Sequence, residues 1–509
     1  MTPTGLMEVT SASAPSRTER LFAGALRVFS ALSVLCVLCY LVTMLRARHE
    51  LSQPESVVGA QSMMLAHAGT LYYNLKDYPY TVCAYMPIFY FLEAMFARLG
   101  LSAILAGRCI SFAALLASFA ICWRLVLLYT GNRYAAWIAA LLASSSTLLL
   151  NWGTTGQVDM LAVTLSLAGF YQFSRFYIRG ENTLLWAGLF AVAAFFTKQT
   201  MLAAPAAMFV LLVFRNRKTP LLFGAALGGS IAALALGINT ALDGRFFANT
   251  VFANINPFDV EKLLQHLEYF ALVSGTLIVT LAVAVPRMVR SRCAPLLVYF
   301  GLATILFLTL ASKVGSDSNY QLEPTLLLIV CACAGLVELN FFELCFRNSK
   351  SWITLLQVPV VLFLVVNYRI VIPDSIARFW KENLFRKEMA AVEPYIRNAS
   401  GRIFSTDLDP VVRLRGGLDV EPLIYGLLVH AGRIDPEPVR RDLSQAAFPL
   451  VILYEDVSHP IPDPSLEIAR LQPEQLAEFR RHYRLVDHIP GPYLDGIYVY
   501  QPVPADRQP

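Results

Sequence analysis

Apolar residues in this chain come in long blocks, separated by short polar or basic stretches. A helix needs about 20 mostly apolar residues to cross a bilayer. Blocks of that character lie at 21–45, 103–128, 134–150, 159–178, 183–198, 200–214, 220–241, 267–286, 293–312, 321–343 and 351–371. They predict an all-α polytopic membrane domain of about eleven transmembrane helices over 21–371. The first block is longer than the apolar core of a cleaved signal peptide and ends in charge at Arg46 and Arg48, so it reads as a span. From about 372 the pattern changes: charges become dense, prolines frequent and apolar runs short. The runs Arg402–Ser405, Leu450–Tyr454 and Gly496–Tyr500 predict strands, and helical patterns lie at Glu421–Ala431 and Pro473–Tyr483. Residues 372–509 are therefore expected to form a soluble α/β domain.

Two of the polar intervals are too long to be simple turns. Residues 46–102 contain an amphipathic stretch from Glu55 to Leu71, a Tyr/Pro-rich piece and the apolar segment Pro87–Leu99. That last segment is too short to span and is expected to lie in the membrane interface. Residues 242–266, with Phe246, Phe247 and Phe252, have the same interfacial character.

Basic residues set the direction of the spans, because short cytoplasmic loops carry an excess of Lys and Arg. With residues 1–20 as a cytoplasmic tail, one set of alternating loops holds Arg124 and Arg133; Arg175 and Arg179; Arg215, Arg217 and Lys218; Arg287, Arg290 and Arg292; and Arg347 and Lys350. The opposite loops hold few. An odd number of spans then puts the C-terminal domain on the outer, periplasmic or extracellular side of a plasma (inner) membrane.

Composition agrees: 56% of the 509 residues are hydrophobic and only 15% charged, against about 25% charged in an ordinary soluble protein. The bilayer is thus the first expected partner. A net charge of +5, spread over many loops with no basic cluster among aromatics, excludes a nucleic-acid surface. Of the nine cysteines only Cys83 falls in a polar loop. The pairs Cys36/Cys39 and Cys331/Cys333 sit in Leu/Val/Ala surroundings, where small buried hydrophobes are the better reading than metal or redox pairs.

Ionisable residues at membrane depth are costly, and function is the first explanation to test for them. Here they gather at the outer ends of spans. Glu55 opens the first outside loop; Arg108 lies just inside the second span; Asp159 begins the fourth; Lys198 interrupts the hairpin between the fifth and sixth; and Lys313 starts the polar stretch through Asn319 and Tyr320. Carboxylates suit proton abstraction from a hydroxyl, and Lys and Arg suit a phosphate leaving group. Tyr72, Tyr73, Tyr78, Tyr80 and Tyr85 suit sugar faces or the headgroup region. The bland alternatives are first-turn acids favoured by the helix dipole for Glu55 and Asp159, and a snorkelling lysine for Lys198.

These pieces, in this order, resemble the GT-C superfamily of polyprenyl-phosphate-dependent glycosyltransferases, in particular the bacterial relatives of protein mannosyltransferases and lipid A aminoarabinose transferase. The resemblance runs over roughly 20–371. It rests on Glu55 with Ala66-His67-Ala68-Gly69-Thr70-Leu71-Tyr72, on Tyr85-Met86-Pro87-Ile88-Phe89-Tyr90, on Leu105-Ala106-Gly107-Arg108, on Gln157-Val158-Asp159-Met160-Leu161-Ala162, on Phe196-Thr197-Lys198-Gln199-Thr200 and on Lys313-Val314-Gly315-Ser316-Asp317-Ser318-Asn319-Tyr320. The chain departs from the pattern at Pro54-Glu55, where Asp-Glu is common, and at Met86-Pro87, where Pro-Pro is common.

The resemblance implies an inverting glycosyltransferase that moves a sugar from a polyprenyl-phosphate donor to a hydroxyl of a lipid, glycan or protein acceptor at the outer face. On that reading Glu55 is the general base and Asp159 the second carboxylate. Arg108, Lys198 and Lys313 hold the departing phosphate, and Tyr85, Asn319 and Tyr320 complete the substrate site. No cofactor is assigned: two carboxylates do not define a metal site, so a divalent ion has no support in the sequence. Two rivals stand beside this reading. A lipid-linked-saccharide flippase would transport without making product, and an envelope-glycan-binding scaffold would act through the C-terminal domain alone.

Overall fold

The computed structural model describes residues 17–47, 49–215, 218–254, 258–313, 316–341, 352–458, 471–491 and 496–504. Most of the N-terminal tail, Val314 and Gly315 of the polar stretch, and the loop residues Arg217, Arg347 and Lys350 lie outside them.

Among the described residues fifteen α-helices precede the sheet: α1 Arg17–Arg46, α2 Gln53–Ala68, α3 Pro87–Arg98, α4 Ala103–Thr130, α5 Arg133–Ser145, α6 Thr147–Gly153, α7 Val158–Arg179, α8 Leu184–Thr197, α9 Ala203–Arg215, α10 Lys218–Ala241, α11 Arg245–Thr250, α12 Val260–Met288, α13 Ala294–Leu310, α14 Leu322–Glu338 and α15 Trp352–Asn398. Every one of the eleven apolar blocks falls on a helix or, for 134–150, on the pair α5/α6 bent by 65°. Five of the helices are long and apolar enough to cross a bilayer by themselves, or six with the bent pair counted as one. Helices α8, α9 and α13 are shorter apolar helices. Eleven is therefore the number of apolar segments, while the number of crossings remains an expectation.

The helices end where their sequences say they should. Pro54 sits in the first turn of α2, where a missing N–H costs nothing, and Gly69 closes it at φ 72°, a conformation that suits glycine. At α12 the Asp259 side chain caps the N–H groups of Glu261 and Lys262. Helix α14 is buried on all sides and forms the centre of the bundle, packed by α4, α5, α12 and α13. Helix α10 is its opposite: it buries Pro220 and Phe223 and leaves Leu221, Leu222, Leu234 and Leu236 exposed. An apolar helix surface of that kind needs lipid. The break between α5 and α6 is satisfied by Asn367 of α15, whose side-chain oxygen accepts from Thr147 N at 3.2 Å. The chain is a multi-pass membrane protein.

The expected boundary at 372 falls within α15, which continues unbroken to Asn398. Beyond it come β1 Ile403–Ser405, α16 Leu408–Arg415, α17 Pro422–His430, α18 Glu437–Ser444, β2 Leu450–Leu453, α19 Pro473–His482, β3 Tyr483–Ile489 and β4 Ile497–Pro502. The sheet order is β1-β2-β4-β3, with β1 parallel to β2 and the other pairs antiparallel. Three strands were expected; β3 was not. Its only fully buried positions are its ends, so it lacks the buried run that marks β1 and β2. One face of the sheet packs on α17, α18 and α19 through Phe404, Val451, Leu453 and Phe479. The other packs on the end of α15 through Val392, Ile396, Ile403 and Ile452.

The C-terminal domain is seated on the first long loop. Tyr80 pairs with Val420 as a parallel bridge, with Tyr80 N donating to Asp419 O at 3.1 Å and Glu421 N to Tyr80 O at 2.8 Å. Tyr80 OH donates to Asp442 Oδ2 at 2.9 Å. Helix α3 lies beside α2 and α4, with Phe89, Tyr90 and Glu93 buried and Phe91 and Met95 exposed, an amphipathic arrangement suited to an interface.

Candidate active site

Two buried ion pairs stand at the end of the bundle that carries the C-terminal domain. In the first, Arg108 on α4 grips Glu55 on α2: Nε donates to Oε1 at 2.8 Å and Nη2 to Oε2 at 2.7 Å. Arg108 also donates to the carbonyls of Met44 (3.1 Å), Ala47 (2.8 Å) and His49 (2.7 Å). These contacts use all five guanidinium N–H groups. Glu55 is equally engaged, accepting from Leu51 N at 2.8 Å and Gly156 N at 2.6 Å. Gly156 makes this approach possible, since a Cβ there would sit 3.3 Å from Glu55 Oε1, from Arg108 N and from Ile104 O. Burial by itself would raise the Glu55 carboxyl, but Arg108 and the N–H groups of Leu51 and Gly156 outweigh it and hold it below the ordinary glutamate value.

In this arrangement neither member of the pair presents a free hydrogen-bonding group. A general base needs a lone pair facing substrate, and both Glu55 oxygens are already taken in a fully buried setting. A phosphate clamp needs free donors, and Arg108 has none. The pair joins the ends of α1, α2 and α4 to the turn before α7.

The second pair is Lys198 with Asp159, both buried. Lys198 donates to Asp159 Oδ1, which also accepts from Asn319 Nδ2 at 2.9 Å. The Lys198 ammonium lies 4.3 Å from the Tyr320 ring centre and 6.0 Å from that of Tyr85. Asp159 Oδ2 has no hydrogen-bond partner among the described residues. The next residue, Gln199, fixes the surrounding loops by donating to the carbonyls of Ala84 and Thr250.

Lys313 completes this group. Its backbone is held by a bridge to Phe258, but its half-buried ammonium forms no ion pair among the described residues. Burial, and then the charge of nearby Lys198, hold it below the ordinary lysine value. Lys313, Tyr85 and Tyr320 face a cavity of about 220 Å³. Pro54, Val57 and Val58 of α2 form one wall, and Leu408, Glu421, Leu423 and Leu427 of the C-terminal domain form the roof. A smaller space of about 20 Å³, sharing Tyr320, borders Asp159, Lys198 and Asn319.

Thus Asp159, Lys198, Lys313, Tyr85, Asn319 and Tyr320 come together, while Glu55 and Arg108 form a separate structural pair. Sequence reading passed over several acids. Glu93 is fully buried on α3, bonded by Ser62 Oγ at 2.5 Å, and its signal was a lone acid within an apolar segment. Glu323 accepts from Ser166 (2.6 Å) and Tyr299 (2.5 Å) inside the bundle. Glu421, on the cavity roof, caps α17 through Ile424 N and Tyr425 N; burial, offset in part by these N–H groups, raises it to about 7. Among the described residues no group of three or more His, Cys, Asp or Glu is placed to hold a metal ion.

The whole chain superposes on ArnT from Cupriavidus metallidurans bound to undecaprenyl phosphate, with a TM-score of 0.62 at 13% identity, covering 96% of this chain and 99% of that one. By fold, the chain is similar to ArnT over nearly its whole length. The apo state of the same ArnT matches with a TM-score of 0.61 at 13% identity, over 94% of this chain and 98% of the other. The archaeal oligosaccharyltransferase AglB from Archaeoglobus fulgidus, in complex with an inhibitory peptide and a dolichol-phosphate, matches with a TM-score of 0.50 at 11% identity, over 84% of this chain and 69% of that one. In sequence, residues 77–239 match the family described as dolichyl-phosphate-mannose-protein mannosyltransferase. That segment holds Tyr85, Arg108, Asp159 and Lys198. No curated protein matches it in sequence.

Proposed function

We propose that the protein is a membrane glycosyltransferase that moves a sugar from a polyprenyl-phosphate donor to an acceptor hydroxyl. The acceptor is a lipid, glycan or protein at the outer face of the inner membrane, with the C-terminal domain on that side. The observation that carries the reading is the Lys313 ammonium, without an ion pair among the described residues, beside Tyr85 and Tyr320 and near a buried carboxylate with one unpaired oxygen, in a chain of ArnT-like fold.

In this reading Lys313 receives the donor phosphate, and Tyr85 and Tyr320 border the sugar. Asp159 Oδ2 takes the proton from the acceptor hydroxyl as its oxygen attacks the anomeric carbon. The anomeric C–O bond breaks on the opposite side, and its electron pair leaves with the lipid phosphate, next to Lys313. One displacement without a covalent intermediate inverts the anomeric centre. Lys198 and Asn319 hold Asp159 by its other oxygen, so its open one is fixed in place. Glu55 and Arg108 line neither space and act by holding α1, α2 and α4 together.

The test is transfer of radiolabelled sugar from a polyprenyl-phosphate donor by the purified protein in detergent. Product that depends on Asp159 and Lys313 supports the proposal; movement of donor across vesicles with no product formed favours a flippase. Mass spectrometry of envelope lipids, glycans and glycoproteins from a deletion strain would name the acceptor.

A further inference from the structure

A second cleft, separate from the Lys313 cavity, lies where α1 ends and α4 begins. Its volume is about 390 Å³, and its walls include Arg46, Arg108, Arg386 and Arg413 together with Leu45 and Leu105. Among the described residues no aspartate or glutamate lines it. The acidic neighbours of Arg108, Arg413 and Arg386 lie off the cleft wall. Glu55 holds Arg108, Asp409 accepts from Arg413 Nε at 2.7 Å, and Glu382 stands 3.7 Å from Arg386. Arg413 makes no hydrogen bond through its Nη groups among the described residues, and Arg386 makes none at all. Guanidinium forks in this state match the oxygens of a phosphate.

The apolar side of the cleft points to the rest of the ligand. Leu45, on its wall, is 52% exposed, and Leu101, one turn before Leu105, is 50% exposed. Leu45 ends one apolar spanning helix and Leu105 begins another. Charged groups beside the exposed Leu45 and the half-buried Leu105, at the ends of two spans, match an amphiphile whose anionic head leaves the bilayer while its chains stay in it. A free inorganic anion would gain nothing from the leucines. The cleft also bridges the domains: Arg46 and Arg108 belong to the membrane helices, Arg386 to the outer part of α15 and Arg413 to α16.

We propose that this cleft binds the phosphate headgroup of a membrane lipid and thereby ties the C-terminal domain to the bilayer surface. This stands apart from the glycosyltransferase reading, because Lys313 takes no part in it.

The test uses the full-length purified protein, stripped of lipid in detergent, and three probes: phosphatidylglycerol, undecaprenyl phosphate and inorganic phosphate. Native mass spectrometry reads bound lipid, and thermal unfolding reads stabilisation. Wild type should retain one or both lipids and be stabilised by them, with inorganic phosphate ineffective at the same concentration. Arg386→Ala, a substitution of an exposed side chain, and Arg386→Ala/Arg413→Gln should lower retention by about tenfold or more, while Lys313→Ala leaves phosphatidylglycerol retention unchanged. The lipid-free melting temperature of Arg386→Ala should equal that of wild type, which separates lost binding from lost folding. Whichever lipid is lost identifies the source of the headgroup. Equal retention by Arg386→Ala and wild type would overturn the proposal, as would inorganic phosphate stabilising as well as either lipid.

Discussion

Glu55 and Arg108, 53 residues apart in the chain, share two hydrogen bonds of 2.8 and 2.7 Å in a buried setting. The arginine supplies three further bonds to the end of α1, so the pair is a knot between α1, α2 and α4. Removing one partner of a buried pair leaves the other charged and uncompensated, which costs about 3–5 kcal/mol. Glu55→Gln is therefore expected to reduce the yield and melting temperature of detergent-purified protein, together with its activity. A variant with wild-type melting but no transfer would return Glu55 to the chemistry.

Asp159→Asn is expected to behave in the opposite way. Asparagine keeps the size of the side chain and can still accept from Lys198, but it cannot take a proton. Transfer should fall by about a hundred- to ten-thousandfold, the usual worth of a general base, with the protein folded and donor binding retained. Measured kcat near the wild-type value would remove Asp159 from that role.

Lys313 carries the pH dependence of donor binding. Burial and Lys198 hold its ammonium below the ordinary lysine value, so it loses its proton, and with it the attraction for phosphate, at a lower pH than an exposed lysine would. Donor KM should rise on the alkaline side. Lys313→Ala should lower kcat/KM by about ten- to a hundredfold, the worth of one hydrogen bond to a charged group. Lys313→Arg, which stays charged, should move the alkaline limb upward. A pH profile that is the same in all three proteins would count against Lys313 as the phosphate anchor.

Asp407 sits where the C-terminal domain meets the first loop. Burial, then the neighbouring Asp409 and Glu388, raise its carboxyl from 3.8 to about 8, and Tyr454 opposes this by hydrogen bonding; the Glu50 charge also lies close by. Between those two pH values the folded protein holds a proton that the unfolded chain has lost. The associated stability is complete below about pH 4 and declines as pH rises through 8. The melting temperature of the full chain should therefore fall between pH 5 and pH 8.5, and Asp407→Asn should flatten that fall. An unchanged slope in the variant would show that another group governs it.

The sequence carried the helices well, because a lipid-facing helix must be apolar along its whole length and the blocks could be read directly. It also singled out Asp159, Lys198 and Lys313, since a charge at the end of an apolar run stands out, and the polar stretch that holds Asn319 and Tyr320. Partners were harder to see. Nothing in the chain order says that Arg108 spends all its donors on Glu55 and three carbonyls, or that Asp159 keeps one oxygen open. The roof of the cavity was hidden for a related reason. Leu423 and Leu427 look like ordinary core residues of a small helix, and chain order does not show that they line the same cavity as Lys313. Strand β3 was missed because most of its residues are not buried.

Helix α15 runs from Trp352 to Asn398, fixed at one end by Asn367 against α6 and α12 and at the other by Val392 and Ile396 against the sheet. A helix clamped at both ends transmits rotation. One residue inserted between Trp380 and Lys387 would turn everything beyond it by about 100° and advance it by about 1.5 Å, whereas seven would complete nearly two whole turns. Any chimera that exchanges the cap of this protein for another must therefore keep helical phase across the junction, so the length of α15 is part of what aligns the two walls of the cleft.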